Sequence, residues 1–320
     1  MTATTALPRI APMLATPGAL PSPADEHLWS TETKHDGQRA LVYLPGDRTM
    51  VIRSRSGADI TAAYPELRAL ATVLGDASAV LDGEIVVLDE AGRSSFERLQ
   101  PRMGLAGSPA KAARLAAQAP AHLILFDVLH LDGRTLTQLP YTGRRDTLKG
   151  LVEGGPDWSV PTAVTGHCRQ ALELARSQGL EGLVLKRLDS VYEPGRRSPA
   201  WIKVRNVHTA DVVVGGWMPG QGRLGGLPGA VLVGEYVDGA LVYRGSVGTG
   251  WNERERADLA RLLNIAAVDD CPFTPTPAAP GARWVLPRLV AEVRYTTRTR
   301  AGLLRHPVWH RLRPDLAPGA

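Results

Sequence analysis

A chain of 320 residues, 44% of them apolar, is long enough for two domains that each bury a core, which excludes wholesale disorder. There are 37 basic against 32 acidic side chains, a net charge of +5 that favours a polyanionic partner. No run of about 18 apolar residues offers a membrane span, no charged segment followed by an apolar stretch opens the chain, and Cys168 and Cys271 lack the spacing of a disulfide framework or a zinc site, so a cytoplasmic protein away from membranes is expected.

Residues 1 to about 27 are rich in Pro and Ala and read as an extended lead-in wrapped on a domain. Only five lysines stand against thirty-two arginines, so a chemically required amine is conspicuous. Lys34, Lys186 and Lys203 fall in strand-like contexts, whereas Lys111 and Lys149 fall in amphipathic helical stretches. Lys34-His35-Asp36-Gly37 is preceded by Glu32 and followed by Arg39, and the Asp-Gly pair predicts a tight turn that aims the amine at a ligand. An amine attacks phosphorus only when unprotonated, so this use demands a pocket shaped by burial or by neighbouring cations. A surface lysine in a β-turn is the plain alternative.

Further along, the pattern predicts strands over 40–44, 51–54 and 85–89, and helices over 64–74 and 168–177. Arg55 ends a strand at a glycine turn, where a guanidinium can reach phosphate or ribose. Asp82 and Glu84 precede an apolar strand and place a carboxylate at its mouth. Phe126 closes an apolar strand from Leu123 with a ring that can stack on a purine. Glu181 and Lys186 bracket another strand, and Arg197 precedes an alternating strand over 201–205 whose cations Lys203 and Arg205 face away from Ile202 and Val204. Each has a structural reading too: Phe126 in a core, Asp82 and Glu84 as turn formers, Arg55 as a solvated edge residue, Lys203 and Arg205 on a wet sheet face. After Arg205 the pattern changes to short strands over 212–217, 231–236, 241–247 and 289–295 around one helix over 253–263, with 215–229 read as a flexible inter-strand loop. That suits a small OB-type barrel.

Taken in order, these segments resemble the nucleotidyltransferase motifs of the covalent nucleotidyl transferase superfamily, specifically the ATP-dependent DNA ligases, from roughly Pro12 to the C-terminus. The resemblance implies an α+β chain: a nucleotidyltransferase (ATP-grasp-like adenylation) domain over residues 1–205, followed by an OB-fold β-barrel over 206–320. It implies that Lys34 attacks the α-phosphorus of ATP to form lysyl-AMP. Glu32 would lie by the adenine, with Phe126 stacked on it, while Arg39, Arg55 and Glu84 hold ribose and phosphate. Lys186 would belong to the same nucleotide site, Glu181 and Glu84 would serve Mg2+ (or Mn2+), and Arg197, Lys203 and Arg205 would contact phosphates. The implied substrate is nicked duplex DNA, sealed by a monomer of the minimal repair or end-joining type, with Ku as a candidate partner and no separate DNA-encircling domain. The C-terminal arginines Arg298, Arg300, Arg305, Arg311 and Arg313 would neutralise DNA phosphates. Two positions depart from the family: Arg313-Pro314-Asp315-Leu316 lacks a final lysine, and Arg205 replaces a more usual one. The alternatives are an RNA ligase or capping-type enzyme, which shares the lysine chemistry, and a non-catalytic OB protein that binds nucleic acid.

Overall fold

The computed structural model describes residues 6–319 and divides the chain into two compact units, the first ending at Asn206 and the second starting at Val207. The first unit holds strands β1 (Leu14–Pro17), β2 (Trp29–Thr33), β3 (Gln38–Pro45), β4 (Val51–Ser54), β5 (Ser78–Val87), β6 (Ala121–Leu131), β7 (Arg134–Thr135), β8 (Trp158–Ser159), β9 (Val164–Thr165), β10 (Gly182–Arg187) and β11 (Arg197–Arg205). Its helices are α1 (Ala69–Leu74), α2 (Phe96–Leu99), α3 (Pro109–Gln118), α4 (Tyr141–Leu151) and α5 (Cys168–Ser177). One sheet has the order β1-β11-β10-β2-β9 and the other β4-β3-β5-β6-β7, with β8 also pairing with β6.

Alternation along the strands explains the layering. On β3, Ala40, Val42 and Leu44 enter a large core with Leu81, Ile85 and Leu123, while Leu41 and Tyr43 face Met13, Val80, Tyr192 and Trp201 on the other side. A strand buried on both faces reads as a continuous apolar run, as 40–44 does. On β10 and β11, Leu183, Leu185, Ile202 and Val204 pack with Cys168 and Ala175 of α5. Val184, Lys186, Trp201 and Lys203 therefore point to the opposite face.

Two expectations change here. The strand that was to begin at residue 85 starts at Ser78, so Asp82 and Glu84 lie within β5 and form no turn. The predicted helix over 64–74 splits into a 3-10 turn, Pro65–Arg68, with Pro65 at its first position, and the short α1.

The second unit contains β12 (His208–Pro219), β13 (Pro228–Val237), β14 (Ala240–Val247), helix α6 (Glu253–Ile265), β15 (Ala267–Val268), β16 (Arg283–Tyr295), β17 (Thr297–Arg298), β18 (Leu304–Arg305) and β19 (Val308–Leu312). Its antiparallel sheet has the order β14-β13-β12-β16-β15, with β19 also on β16. A reciprocal cap opens α6: Asn252 Oδ1 accepts from the Glu255 amide at 2.9 Å and Glu255 Oε2 from the Asn252 amide at 2.8 Å. The stretch 215–229 is not a flexible loop. Gly215 and Gly216 sit at a bulge within β12, where a Cβ on Gly215 would lie 2.5 Å from the Phe273 ring. Only 220–227 connect the strands, closed by the Gly220 amide on the Leu227 carbonyl at 2.9 Å. The C-terminal arginines are also not a free cationic tail: Arg298 pairs with Glu235 at 2.5 Å, Arg311 with Glu292 at 2.8 Å, and Arg313 with Asp211 and Asp315 at 2.9 and 2.8 Å.

Candidate active site

The inner faces of the two sheets in the first unit line a cavity of about 660 Å³. Strand register assembles its walls. Glu32 lies opposite Val184, Val184 opposite Lys203, and Lys186 opposite Trp201, so one row of side chains crosses β2, β10 and β11. On the other sheet Arg39 pairs with Glu84. Of the residues singled out in the sequence, Glu32, Lys34, Arg39, Arg55, Glu84, Phe126, Lys186, Arg197 and Lys203 all line this cavity. Glu181 and Arg205 do not, but Glu181 Oε2 lies 2.5 Å from Lys34 Nζ and its Oε1 lies 3.4 Å from Arg205 Nε.

Lys34 occupies the turn between β2 and β3, and its amide donates to the Gly182 carbonyl at 2.9 Å. Three motif glycines are needed for close approach. A Cβ on Gly37 would fall on the Ile85 carbonyl oxygen, one on Gly182 on the Val204 carbonyl oxygen, and one on Gly83 within 2.7 Å of the Ile124 carbonyl oxygen. Beside Lys34, His35 is half-buried with its Nε2 shielded from solvent and unpartnered; desolvation first, then the charges of Lys34 and His122, push its pKa down to about 4 against the pull of Glu32.

Arg39 is fixed before any ligand arrives. Its Nε and Nη2 each lie 2.6 Å from Asp82, which is 0% exposed and also accepts from Tyr192 Oη at 2.6 Å. Burial opposes the guanidinium charge, but Asp82 outweighs it and raises the Arg39 pKa. Lys186, 1% exposed, reaches Glu32 Oε1 at 2.9 Å and lies 4.3 and 4.4 Å from the ring centroids of Phe126 and Trp201. Burial lowers its pKa despite Glu32 and Asp127. Lys203 is lowered by burial and then by Arg205, Arg197 and Lys34. Cations thus crowd one wall, as a polyphosphate requires.

Phe126 owes its position to a bulge. Asp82 pairs with Asp127 and Gly83 with Leu125, leaving Phe126 as the extra residue on β6. Its carbonyl accepts instead from Arg145 Nη1 at 3.3 Å and Lys186 Nζ at 3.5 Å.

Residues 12–205 match the family described as the ATP dependent DNA ligase domain, and residues 225–316 match the ATP dependent DNA ligase C terminal region. The chain belongs to the ATP-dependent DNA ligases. The Mycobacterium tuberculosis multifunctional non-homologous end joining DNA repair protein LigD is 43% identical over 313 residues, 97% of this chain and 39% of that protein. The DNA ligase of Thermococcus onnurineus is 32% identical over 90% of this chain and 52% of its own. The crystal structure of the ligase domain from M. tuberculosis LigD is 41% identical, covers 97% of this chain and 96% of that one, and superposes with a TM-score of 0.56. This ligase therefore spans well under half of the LigD protein it matches, and ATP is its nucleotide substrate. Its first unit has the nucleotidyltransferase adenylation fold and its second the OB-fold. No helix among the described residues is long and apolar enough to cross a membrane.

Two site residues of the ligase were not singled out in the sequence, Tyr141 and Trp201. Tyr141 donates to Glu32 Oε1 at 2.5 Å from the first turn of α4, and Trp201 forms part of the cavity wall. The Trp201 ring was visible as the partner of Lys203 on one face of an alternating strand; Tyr141 carried no such signal.

Glu84 yields a pH-dependent expectation. Burial raises its carboxyl from 4.5 to about 7, against the pull of Arg39 and Lys34. A folded-state pKa above the unfolded one contributes stability that is present below about pH 4.5 and lost as pH rises through about 7. Relative to Glu84→Gln, the ligand-free wild type should lose Tm across that interval and level off above it. Thermal melts of both proteins from pH 4.5 to 8.5 check this, and parallel curves would refute it.

Proposed function

We propose that this ligase activates ATP on Lys34 and seals nicks in duplex DNA. Lys34 Nζ attacks the α-phosphorus, the phosphoanhydride bond breaks, pyrophosphate leaves, and a lysyl-AMP phosphoramidate remains. AMP then passes to the 5′-phosphate at the nick, and the adjacent 3′-hydroxyl attacks that phosphorus with AMP as leaving group. The observation that carries the proposal is the position of Lys34: it lines a cavity crowded with cations, and among the described residues its amine pairs with Glu181. Glu32 and Phe126 would receive the adenine, Arg39, Arg55 and Glu84 the ribose and α-phosphate, and Lys186, Arg197, Lys203 and Arg205 the remaining charge. Arg39, clamped by Asp82, needs no reorganisation at the moment of reaction.

Among the described residues no group of three or more His, Cys, Asp and Glu is arranged to hold a metal ion. Mg2+ in nucleotide sites is bound by one or two carboxylates together with substrate phosphates, a donor set that Glu84 and Glu181 fit. When bound there, Mg2+ or Mn2+ would offset charge on the phosphoryl oxygens.

Mass spectrometry of the purified chain after incubation with ATP tests the proposal: an AMP adduct on the Lys34 peptide is expected, and its absence overturns the mechanism. Parallel incubation with GTP separates a capping-type reading. Gly37→Ala should slow adduct formation on the order of a hundred-fold through misplacement of the amine, since the new Cβ meets a strand carbonyl that cannot yield. A single-turnover rate within a few-fold of wild type would remove that account of the glycine.

The relatives named for non-homologous end joining support a repair role in strand-break joining; we propose further that the chain acts in the cytoplasm as a monomer alongside an end-binding protein such as Ku. Ligation of linear duplex with and without that partner tests this: stimulation is expected.

A further inference from the structure

We propose that this ligase has a second anion site, a concavity of about 280 Å³ between the lead-in segment and strands β3 and β4, which holds phosphodiesters of the DNA strand as it leaves the nick. The inference rests on the ligase reading and names where its second substrate is gripped.

Three guanidiniums, Arg9, Arg53 and Arg55, line the concavity, and no carboxylate does. Arg9 and Arg55 have no ion pair or hydrogen bond among the described residues. Arg53 donates to the Gly57 carbonyl at 3.0 Å and has Asp59 as a charged neighbour. With Arg55 shared with the nucleotide cavity, Arg9 and Arg53 are the cations that belong to this concavity alone, a number suited to two phosphodiesters. Ile10, Leu41 and Tyr43 supply an apolar floor for deoxyribose, and the Tyr43 hydroxyl is already engaged with the Ile10 backbone at 3.2 Å.

The arrangement is built, not incidental. Arg9 lies on the lead-in segment, which is fixed by the Ile10–Tyr43 bonds, by the Gly195 amide on the Ala11 carbonyl at 3.1 Å and by the Met13 amide on Tyr192 Oη at 2.9 Å. Ser54, Arg55 and Ser56 line both this concavity and the nucleotide cavity, so a strand whose end reaches Lys34 continues across that shared wall. Of the cations assigned to ATP, Lys186, Arg197, Lys203 and Arg205 lie on β10 and β11 of the other sheet and Arg55 on the shared wall, whereas Arg9 and Arg53 line this concavity alone.

The test uses the full chain and the variants Arg9→Gln, Arg53→Gln and the double. Adduct formation with ATP in the absence of DNA should stay within two-fold of wild type, which also reports folding. Binding of a 5′-phosphorylated nicked duplex, followed by anisotropy over a salt series, should weaken, and the slope of log K against log salt should fall by about two in the double variant. Arg9→Lys with Arg53→Lys should restore most of the binding. A raised KM for ATP with unchanged nick affinity would assign the concavity to the nucleotide and overturn the proposal, as would unchanged binding and slope, or a loss that lysine does not repair. A wild-type chain that takes no AMP would instead defeat the ligase reading itself.

Discussion

Lys34→Ala is expected to take no AMP from ATP and to seal 5′-phosphorylated nicks at least ~10⁴-fold more slowly than wild type, because the residue supplies the bond-forming atom and not merely a charge. Lys34→Arg should fail as completely, since a guanidinium stays protonated and has no free pair to attack phosphorus. The loss should be confined to the steps that use the amine. A nick that already carries AMP on its 5′-phosphate needs only the 3′-hydroxyl and the surrounding cations, so both variants should still close it at a measurable rate. Stability should change little: Lys34 and Glu181 are each partly exposed, and Glu181 retains Arg205 at 3.4 Å. Sealing of an ordinary nick by Lys34→Ala at the wild-type rate, or an adduct mapped to another residue, would end the mechanism.

The sequence made the walls of this site legible where strand alternation alone decided them. Lys203 faces the cavity and Ile202 and Val204 face α5, as their spacing demands. What it did not reveal are pairings fixed by register between distant strands. Asp82-Gly83 has the composition of a turn, yet both lie inside β5: Asp82 is stabilised by Arg39 and Tyr192, and Gly83 is required by the approach of β6. Local propensity favours a turn, and tertiary contacts override it. The same holds for the glycines at the β12 bulge. Arg298 looks unpaired because it finds its carboxylate 63 residues away, and Arg313, already beside Asp315, finds a second one 102 residues away at Asp211. The bulge at Phe126 is likewise invisible locally, since it exists only relative to β5.

Removing the guanidinium beneath that bulge should have the largest effect on stability. Arg144 is 0% exposed; it binds Asp127 through Nε at 2.8 Å and Nη2 at 3.0 Å, and donates to the carbonyls of Leu139 and Ser190 at 2.6 and 2.9 Å. Arg144→Met leaves Asp127 buried without its counter-charge, a loss of about 3–5 kcal/mol. At about 2–4 °C per kcal/mol for a unit of this size, Tm should drop by roughly 10 °C. Burial already raises the Asp127 pKa against the pull of Arg144, and without Arg144 the shift grows. The folded carboxyl then holds its proton above the unfolded Asp range, so the deficit should be smallest in acid and widen as pH rises toward neutrality. Adding Asp127→Leu should recover much of the loss, because the double variant buries no orphaned charge. The defect should also reach the nucleotide: Tyr141 and Arg145 on the same helix hold Glu32 and the Phe126 carbonyl, so a loosened α4 should raise KM for ATP more than it slows AMP transfer. Arg144→Met melting within 2 °C of wild type at neutral pH, or a double variant no more stable than the single one, would show that the pair does not hold this wall in place.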